Sequence, residues 1–122
     1  MALTVIGSGG GIPVDTPTIE TGSYVGTGTH GSANPCSITF NGTPVFVLVS
    51  GNRNKALFDP LGMVSGYSSY WFDSLGAVQA STNTHAEMNG KTLSWYNTNS
   101  SGAANYQMNK SGTTYYWFAI TI

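Results

Sequence analysis

Short runs of strand-forming residues, separated by turn sequences, are the feature that most limits what this chain can fold into. Pairs such as Asn41-Gly42, Asn89-Gly90 and Ser111-Gly112 recur between these runs. Asn-Gly between two strand-like runs is a strong hairpin signal, because both residues tolerate a positive φ. No stretch keeps the apolar i, i+3, i+4, i+7 spacing of an amphipathic helix for long. The sequence therefore predicts an all-β fold, either a sandwich or a small barrel.

Strand character is found in nine segments, and the sequence between them is rich in Gly, Asn and Ser. The predicted strands are residues 18–25, 36–40, 44–50, 55–58, 69–72, 77–81, 91–97, 105–108 and 113–122. The first sixteen residues differ, because a run of Gly and Ser at 7–11 is followed closely by Pro13 and Pro17. Such a segment holds neither a helix nor a central strand. We expect residues 1–16 to form a flexible arm and residues 17–122 to form the β-sandwich domain.

The low content of charged residues limits the partners of this chain. Charged residues make up 7% of it, against roughly 25% in a typical soluble domain. Four basic residues and a net charge of −1 are too few to neutralise the phosphates of a nucleic acid. No apolar run approaches the length of about 20 residues that crosses a membrane, and the N-terminus has no secretory signal. A polar, nearly uncharged surface suits neutral partners such as sugars or other subunits.

Two of the predicted strands are apolar on both faces, at residues 44–49 (PVFVLV) and 115–120 (YYWFAI). A strand of a monomeric sandwich is expected to alternate, with one face in the core and the other in water. Here the second face is covered either by a loop or the arm of the same chain, or by another subunit. The residues of the expected subunit interface are Phe46, Leu48, Tyr115, Tyr116, Trp117 and Phe118.

Aromatic residues outside these two strands are candidates for ligand contact. Exposed Tyr and Trp rings stack on sugar rings and offer a hydroxyl or N–H at the edge, although a sandwich also needs aromatic residues in its core. A Gly-flanked turn adds side chains that hydrogen-bond hydroxyl groups, and loops on a rigid sheet are the usual seat of recognition. The predicted ligand-binding residues are Asn52, Arg53, Asn54, Tyr70, Trp71, Trp95 and Tyr96.

Motifs that suggest catalysis are weak in this sequence. Gly26-x-Gly28-x-x-Gly31 matches the dinucleotide fingerprint in letters, but a second strand rather than a helix follows it. His85 and Glu87 would share one face of a strand, yet no Cys pair or third ligand accompanies them, and His30 stands apart. Asp59 and Asp73 would be the carboxylates of a glycosidase, but Asp59-Pro60 is more simply a turn. We therefore expect no enzymatic activity, no metal site and no cofactor.

The last strand carries a resemblance to a known family. Segment 112–120 (GTTYYWFAI) resembles the last strand of the receptor-binding domains at the ends of phage tail fibres and of the related H-type lectins. Segments 19–29 and 34–40 look like the opening of domains in prophage tail proteins. The resemblance covers roughly residues 18–50 and 91–122. It implies a six-stranded antiparallel sandwich that assembles as a homotrimer.

Two functions follow from this resemblance. The first is a virion module, in a tail fibre or tail tip, that recognises a host-surface glycan. The second is a structural virion component, such as a decoration or connector protein, which binds no ligand. In both cases we expect the chain to be made in the cytoplasm of a bacterial host and to contact other virion proteins through its N-terminal arm. Fibre proteins carry such a domain at the end of a long chain, so a sequence this short favours a small separate component.

Overall fold

The structure, a computed structural model, describes residues 16–60, 70–73, 78–80, 84–98 and 106–122, with the backbone alone for 70–73 and 78–80. The predicted arm, apart from Thr16, lies outside these residues. The described residues form nine strands: β1 (Thr18–Val25), β2 (Cys36–Thr39), β3 (Pro44–Gly51), β4 (Asn54–Phe58), β5 (Tyr70–Asp73), β6 (Val78–Ala80), β7 (Thr84–Asn89), β8 (Thr92–Asn97) and β9 (Thr114–Thr121). The prediction of an all-β fold is therefore confirmed.

The strands form two antiparallel sheets. The large sheet has the order β1-β9-β3-β4-β5-β6, and the small sheet has the order β2-β8-β7. The strand count of six that the resemblance implied is not confirmed, because the described part of the chain has nine strands. The last strand, β9, pairs with β1 on one side and β3 on the other. The two strands that the sequence marks as apolar on both faces, β3 and β9, are therefore neighbours in the middle of one sheet.

Aromatic rings hold the two sheets together. Trp95 of the small sheet lies 5.0 Å from the ring centre of Phe58 and 6.2 Å from that of Tyr24, both on the large sheet. At the other end, Phe40 meets Trp117 edge to face at 5.3 Å. Aromatic pairs at such distances add to the area that they bury. The sheets thus pack face to face as a sandwich with one core.

One predicted strand is wrong and one observed strand was not predicted. Residues 106–108 form a turn and bends rather than a strand, and Met108 has a φ of 57°. A left-handed residue interrupts the extended backbone that a ladder needs. The strand that was not predicted is β7, which pairs with β8 through the two-residue turn of Gly90 and Lys91. The other eight predicted strands match observed ones to within a few residues.

Glu20, on the edge strand β1, fastens the turn between β2 and β3. Its carboxylate accepts the backbone N–H of Asn41 at 2.8 Å and that of Gly42 at 3.0 Å. The Lys91 ammonium donates to the Asn41 carbonyl at 2.9 Å. The two backbone hydrogen bonds lower the pKa of Glu20 from its ordinary value of 4.5. The charged form of Glu20 is therefore the form that holds the turn.

We expect Glu20→Gln to lower the free energy of unfolding by about 1 kcal/mol at neutral pH, because a neutral amide replaces the charged acceptor of two hydrogen bonds. A lowered pKa stabilises the fold above the unfolded value, and that contribution is lost as pH falls through the folded value. Denaturant unfolding of both proteins at neutral pH and near pH 3 should show the gap closing at low pH. An equal gap at both pH values would contradict this role, and Glu87→Gln at an exposed position is the control.

Candidate functional site

The outer face of the small sheet carries a polar cleft. In β7 the polar side chains His85, Glu87 and Asn89 point outward, and Ala86 and Met88 point toward the core. Strand β8 alternates in the same way, so that His85 lies opposite Tyr96 and Glu87 lies opposite Ser94. The cleft has a volume of about 410 Å³. Its principal lining residues are Ser32, Pro35, His85, Glu87, Ser94 and Tyr96.

A stacked pair of rings forms the aromatic part of this cleft. The imidazole of His85 and the ring of Tyr96 lie 4.9 Å apart between their centres and are inclined by 15°. Direct cross-strand neighbours in an antiparallel sheet are close enough for such contact. His85 therefore covers one face of the Tyr96 ring, which keeps a ligand from stacking on that face. The pair is a firm aromatic surface on a rigid sheet.

Hydrogen-bonding groups surround the two rings. Glu87 is exposed and supplies a carboxylate, which accepts hydrogen bonds through both oxygens. Ser94 and Ser32 supply hydroxyls, which both donate and accept. An aromatic surface beside a carboxylate and hydroxyls suits a ligand with an apolar face and a polar rim. A sugar ring has this character.

A second cleft of about 290 Å³ adjoins the first. Pro35 lines both, and Ser37 of the second cleft lies directly opposite Ser94 of the first in the pairing of β2 with β8. Thr27 and Thr29 line its outer part. At its inner side is the thiol of Cys36, whose pKa burial raises to about 11. This thiol therefore stays protonated and is not a nucleophile at neutral pH.

The loop between β1 and β2, which contributes to both clefts, is fastened by Asn109. The Asn109 side-chain oxygen accepts the N–H of Thr27 at 3.0 Å, and its amide nitrogen donates to the Thr27 hydroxyl at 2.9 Å. The Asn109 backbone carbonyl accepts the N–H of Gly28 at 2.7 Å. Two backbone amides of the fingerprint Gly26-x-Gly28-x-x-Gly31, those of Thr27 and Gly28, therefore donate to Asn109. Strand β2, rather than a helix, follows the fingerprint. The motif therefore lacks the following helix, whose N-terminus binds the pyrophosphate in the dinucleotide fingerprint.

Gln107 connects this loop to the small sheet. Its side-chain oxygen accepts the N–H of Gly31 at 3.1 Å and that of Asn97 at 2.9 Å. Its amide nitrogen donates to the Asn34 carbonyl at 2.6 Å. Its backbone carbonyl accepts the indole N–H of Trp95 at 2.9 Å. Gln107 is completely buried, so water cannot replace its bonds to the buried Asn97 and Trp95, whereas Gly31 and Asn34 are partly exposed.

The structure places the predicted ligand-binding residues in different parts of the fold, and only one of those whose side chains it describes lines a cleft. Tyr96 lines the first cleft. Trp95 is fully buried, so its prediction as a ligand contact is wrong: its ring packs in the core and its N–H is used by Gln107. Asn52, Arg53 and Asn54 belong to the turn between β3 and β4, at the end of the other sheet, and line neither cleft. The side chains of Tyr70 and Trp71 lie outside the described residues.

The turn at Asn52 and Arg53 has a structural explanation of its own. Both residues have a positive φ, of 47° and 65°. Two successive left-handed residues make the hairpin turn that matches the twist of the flanking strands. The Lys110 ammonium lies 3.5 Å from the side-chain oxygen of Asn52. A ligand role for this turn stays a prediction.

The predicted interface residues lie on two different faces of the large sheet, because one face of β9 points into the core. Tyr115 is fully buried, stacks on Tyr24 at 5.2 Å and accepts the Lys110 N–H at 2.9 Å. Trp117 faces inward and packs beneath Gly22, where an added Cβ would lie 2.5 Å from the indole. Tyr115 is therefore wrongly predicted as an interface residue, since a second subunit cannot reach it. The inward packing of Trp117 removes it from the interface as well.

The remaining interface residues share the outer face of the large sheet. Burial alternates along β9 and along β3 beyond its bulge, so that Phe46, Leu48, Tyr116 and Phe118 point outward. Tyr116 is 65% exposed, and Ile19 of β1, on the same face, is 62% exposed. Cross-strand pairing aligns these side chains in three rows. The rows are Ile19–Ile120–Phe46, Thr21–Phe118–Leu48 and Ser23–Tyr116–Ser50.

Five residues of the first cleft were missed as ligand contacts. Ser32, Pro35 and Ser94 carry no motif, whereas His85 and Glu87 were considered only as metal ligands. The signal that would have found them is the alternation of polar and apolar residues from Thr84 to Asn89, which ends at an Asn-Gly turn. That pattern indicates a strand with His85 and Glu87 on one face. The face opposite Tyr96 was therefore readable from the sequence.

Two general findings complete the description of the site. Among the described residues, no three His, Cys, Asp or Glu side chains lie together in a way that would hold a metal ion. Within the same residues, no helix has the length and apolar character needed to span a membrane.

No protein-family model, curated protein or solved structure significantly matches this chain.

Proposed function

We propose that this protein is a binding module of a virion that recognises a cell-surface glycan. The observation that carries the proposal is the cleft on the small sheet, where the stacked rings of His85 and Tyr96 stand beside Glu87 and Ser94. A cleft of about 410 Å³ falls within the usual range of ligand sites, roughly 300–1,000 Å³. The cleft offers an aromatic face for a sugar ring and acceptors for its hydroxyls.

The place of the protein in a virion rests on the resemblance of segment 112–120 to tail-fibre domains. We propose that the chain is made in the cytoplasm of a bacterial host and that it joins other virion proteins through residues 1–16. We further propose a homotrimer, assembled through the outer face of the large sheet. The exposed Ile19 and Tyr116 and the neighbouring Phe118 support this assembly.

A structural virion component without a ligand is the second candidate. The specific observation in its favour is the same outer face, since an apolar sheet surface serves assembly whether or not a ligand is bound. The two candidates differ in one respect that is easily measured. A structural component binds no sugar, and substitutions in the cleft leave its behaviour unchanged.

We expect Tyr96→Ala to reduce glycan affinity at least tenfold, because aromatic stacking and the ring's buried area are lost together. A glycan array with the wild-type protein identifies the sugars that bind, and titration calorimetry then compares the variants. Tyr96→Phe retains the ring and should bind within a few-fold of wild type.

Thr92→Ala is the matched control, because Thr92 lies on the same outer face of β8 and bonds Thr39 rather than lining a cleft. It should leave glycan affinity unchanged. An array without any specific hit would favour the structural component. Undiminished binding by Tyr96→Ala would place the glycan site elsewhere.

A further inference from the structure

The two clefts adjoin each other at the β2 edge of the small sheet. Pro35 lines both, and the small side chains of Ser94 and Ser37 face each other across the β8–β2 pairing. Ser37 is exposed, as are the threonines of the second cleft. A ligand that lies against Tyr96 in the first cleft can therefore continue over the two serines into the second.

The second cleft presents hydroxyls that are already held in place. The Thr27 and Thr29 hydroxyls lie 2.8 Å apart and bond each other. The Asn109 amide donates to Thr27 at 2.9 Å and to the Thr29 carbonyl at 2.9 Å. Groups fixed before binding lose little conformational freedom when a ligand arrives, which favours affinity. Fixed, exposed hydroxyls are suited to the hydroxyls of a second sugar unit.

The charge of the two clefts indicates which sugars they accept. Among the described residues that line them there is no Lys or Arg, and Glu87 supplies the carboxylate. A uronic or sialic acid would bring a second carboxylate beside Glu87 without a lysine or arginine in the lining to pair with, which is unfavourable. A neutral sugar instead donates hydroxyl protons to Glu87.

We infer that the two clefts form one groove for a neutral oligosaccharide of two or more units, with the first unit against Tyr96 and the next over Ser37. This inference rests on the proposed glycan-binding function and adds the length and charge of the ligand. A single sugar fills only the first cleft and binds weakly. Each further unit that reaches the second cleft adds contacts.

Size series of neutral gluco-, galacto- and manno-oligosaccharides, from one to six units, test this inference by calorimetry, with oligogalacturonates as the acidic series. We expect the affinity of the best neutral series to rise at least tenfold between one and three units, and the acidic series to bind at least tenfold more weakly. Ser37→Gln, which fills the second cleft, should abolish the gain with length and leave monosaccharide affinity within twofold. Thr39→Gln, two residues along the same exposed face, is the control and should preserve the gain.

The outcomes separate this inference from the proposed function. If a neutral monosaccharide binds as tightly as its longer forms, or if Ser37→Gln retains the full gain, the extended groove is refuted while glycan binding stands. Tight binding of the acidic series would refute the charge preference. If no member of any series binds, the proposed function fails, and the groove fails with it.

Discussion

Replacing Gln107 with leucine is expected to lower the free energy of unfolding by about 2–4 kcal/mol. The substitution nearly preserves volume, but it leaves the N–H groups of Gly31 and Asn97 and the Asn34 carbonyl without their partner. The Asn97 N–H is buried and its lost hydrogen bond costs about 1–3 kcal/mol, whereas Gly31 and Asn34 are partly exposed and lose about 0.5–1 kcal/mol each because water replaces the bond in part. A loss of this size is a large part of the stability of a small domain.

Denaturant unfolding followed by tryptophan fluorescence measures this effect, because the Trp95 indole donates to the Gln107 backbone. The control is Asn89→Leu at an exposed position of β7, which should change stability by less than about 0.5 kcal/mol. A Gln107→Leu protein as stable as the control would show that water or a rearranged loop satisfies these groups. Gln107 would then not be the connection between the β1–β2 loop and the small sheet.

Substitutions at two neighbouring residues of β9 are expected to affect different properties, the assembly in one case and the folding of the chain in the other. Phe118→Asp places a charge on the outer face and should dissociate the assembly while the protomer stays folded. Trp117→Asp places a charge beneath Gly22 and against Phe40, in the core. Removing a large aromatic residue from a core costs about 3–5 kcal/mol even before the charge is considered, so Trp117→Asp should unfold the chain.

Light scattering combined with circular dichroism separates the two results. The wild-type protein should have three times the 12.8 kDa mass of the chain, and Phe118→Asp should have the single mass with an unchanged β spectrum. Asn89→Asp, an exposed change on β7 of the small sheet and away from that face, tests whether added negative charge alone matters and should keep the trimer. A wild-type monomer at micromolar concentration would refute the interface.

The strands could be predicted because turn-forming residues lie at or near many of their ends. Glycine or asparagine ends three of the nine described strands, at Gly51, Asn89 and Asn97, and Gly26 directly follows a fourth. Because Gly90 follows Asn89, a strand before Asn89 should have been expected from the turn itself.

The inward face of β9 could not be predicted, because both faces are apolar. Glycines distant in sequence decide which face of β9 points inward. The space that a side chain at Gly22 would need is taken by the Trp117 indole, and that at Gly51 by the Tyr115 ring.

The candidate site was harder to predict from the sequence, because it too depends on contacts between residues that are distant along the chain. Tyr96 was identified by type, but its neighbours come from β7 and from the β1–β2 loop. The position of that loop depends on Gln107 and Asn109, which lie more than seventy residues further along the chain. No local pattern marks a buried glutamine as a connection between such segments. Only the pairing of the strands brings these residues together.

The opposite placement of the two outer faces affects how strongly a weak ligand is held. The first cleft and the outer face of the large sheet lie on opposite sides of the sandwich, so subunits that join through the large sheet would leave every copy of the first cleft uncovered. A trimer of this kind would present three equivalent sites that face outward from the shared interface in three directions. Where the glycan chains of a surface reach a second site after the first is occupied, they meet it at a high effective concentration, and avidity can exceed single-site affinity by about 10²–10⁴. A cleft with millimolar affinity would thus suffice for firm yet reversible attachment to a glycan-coated cell.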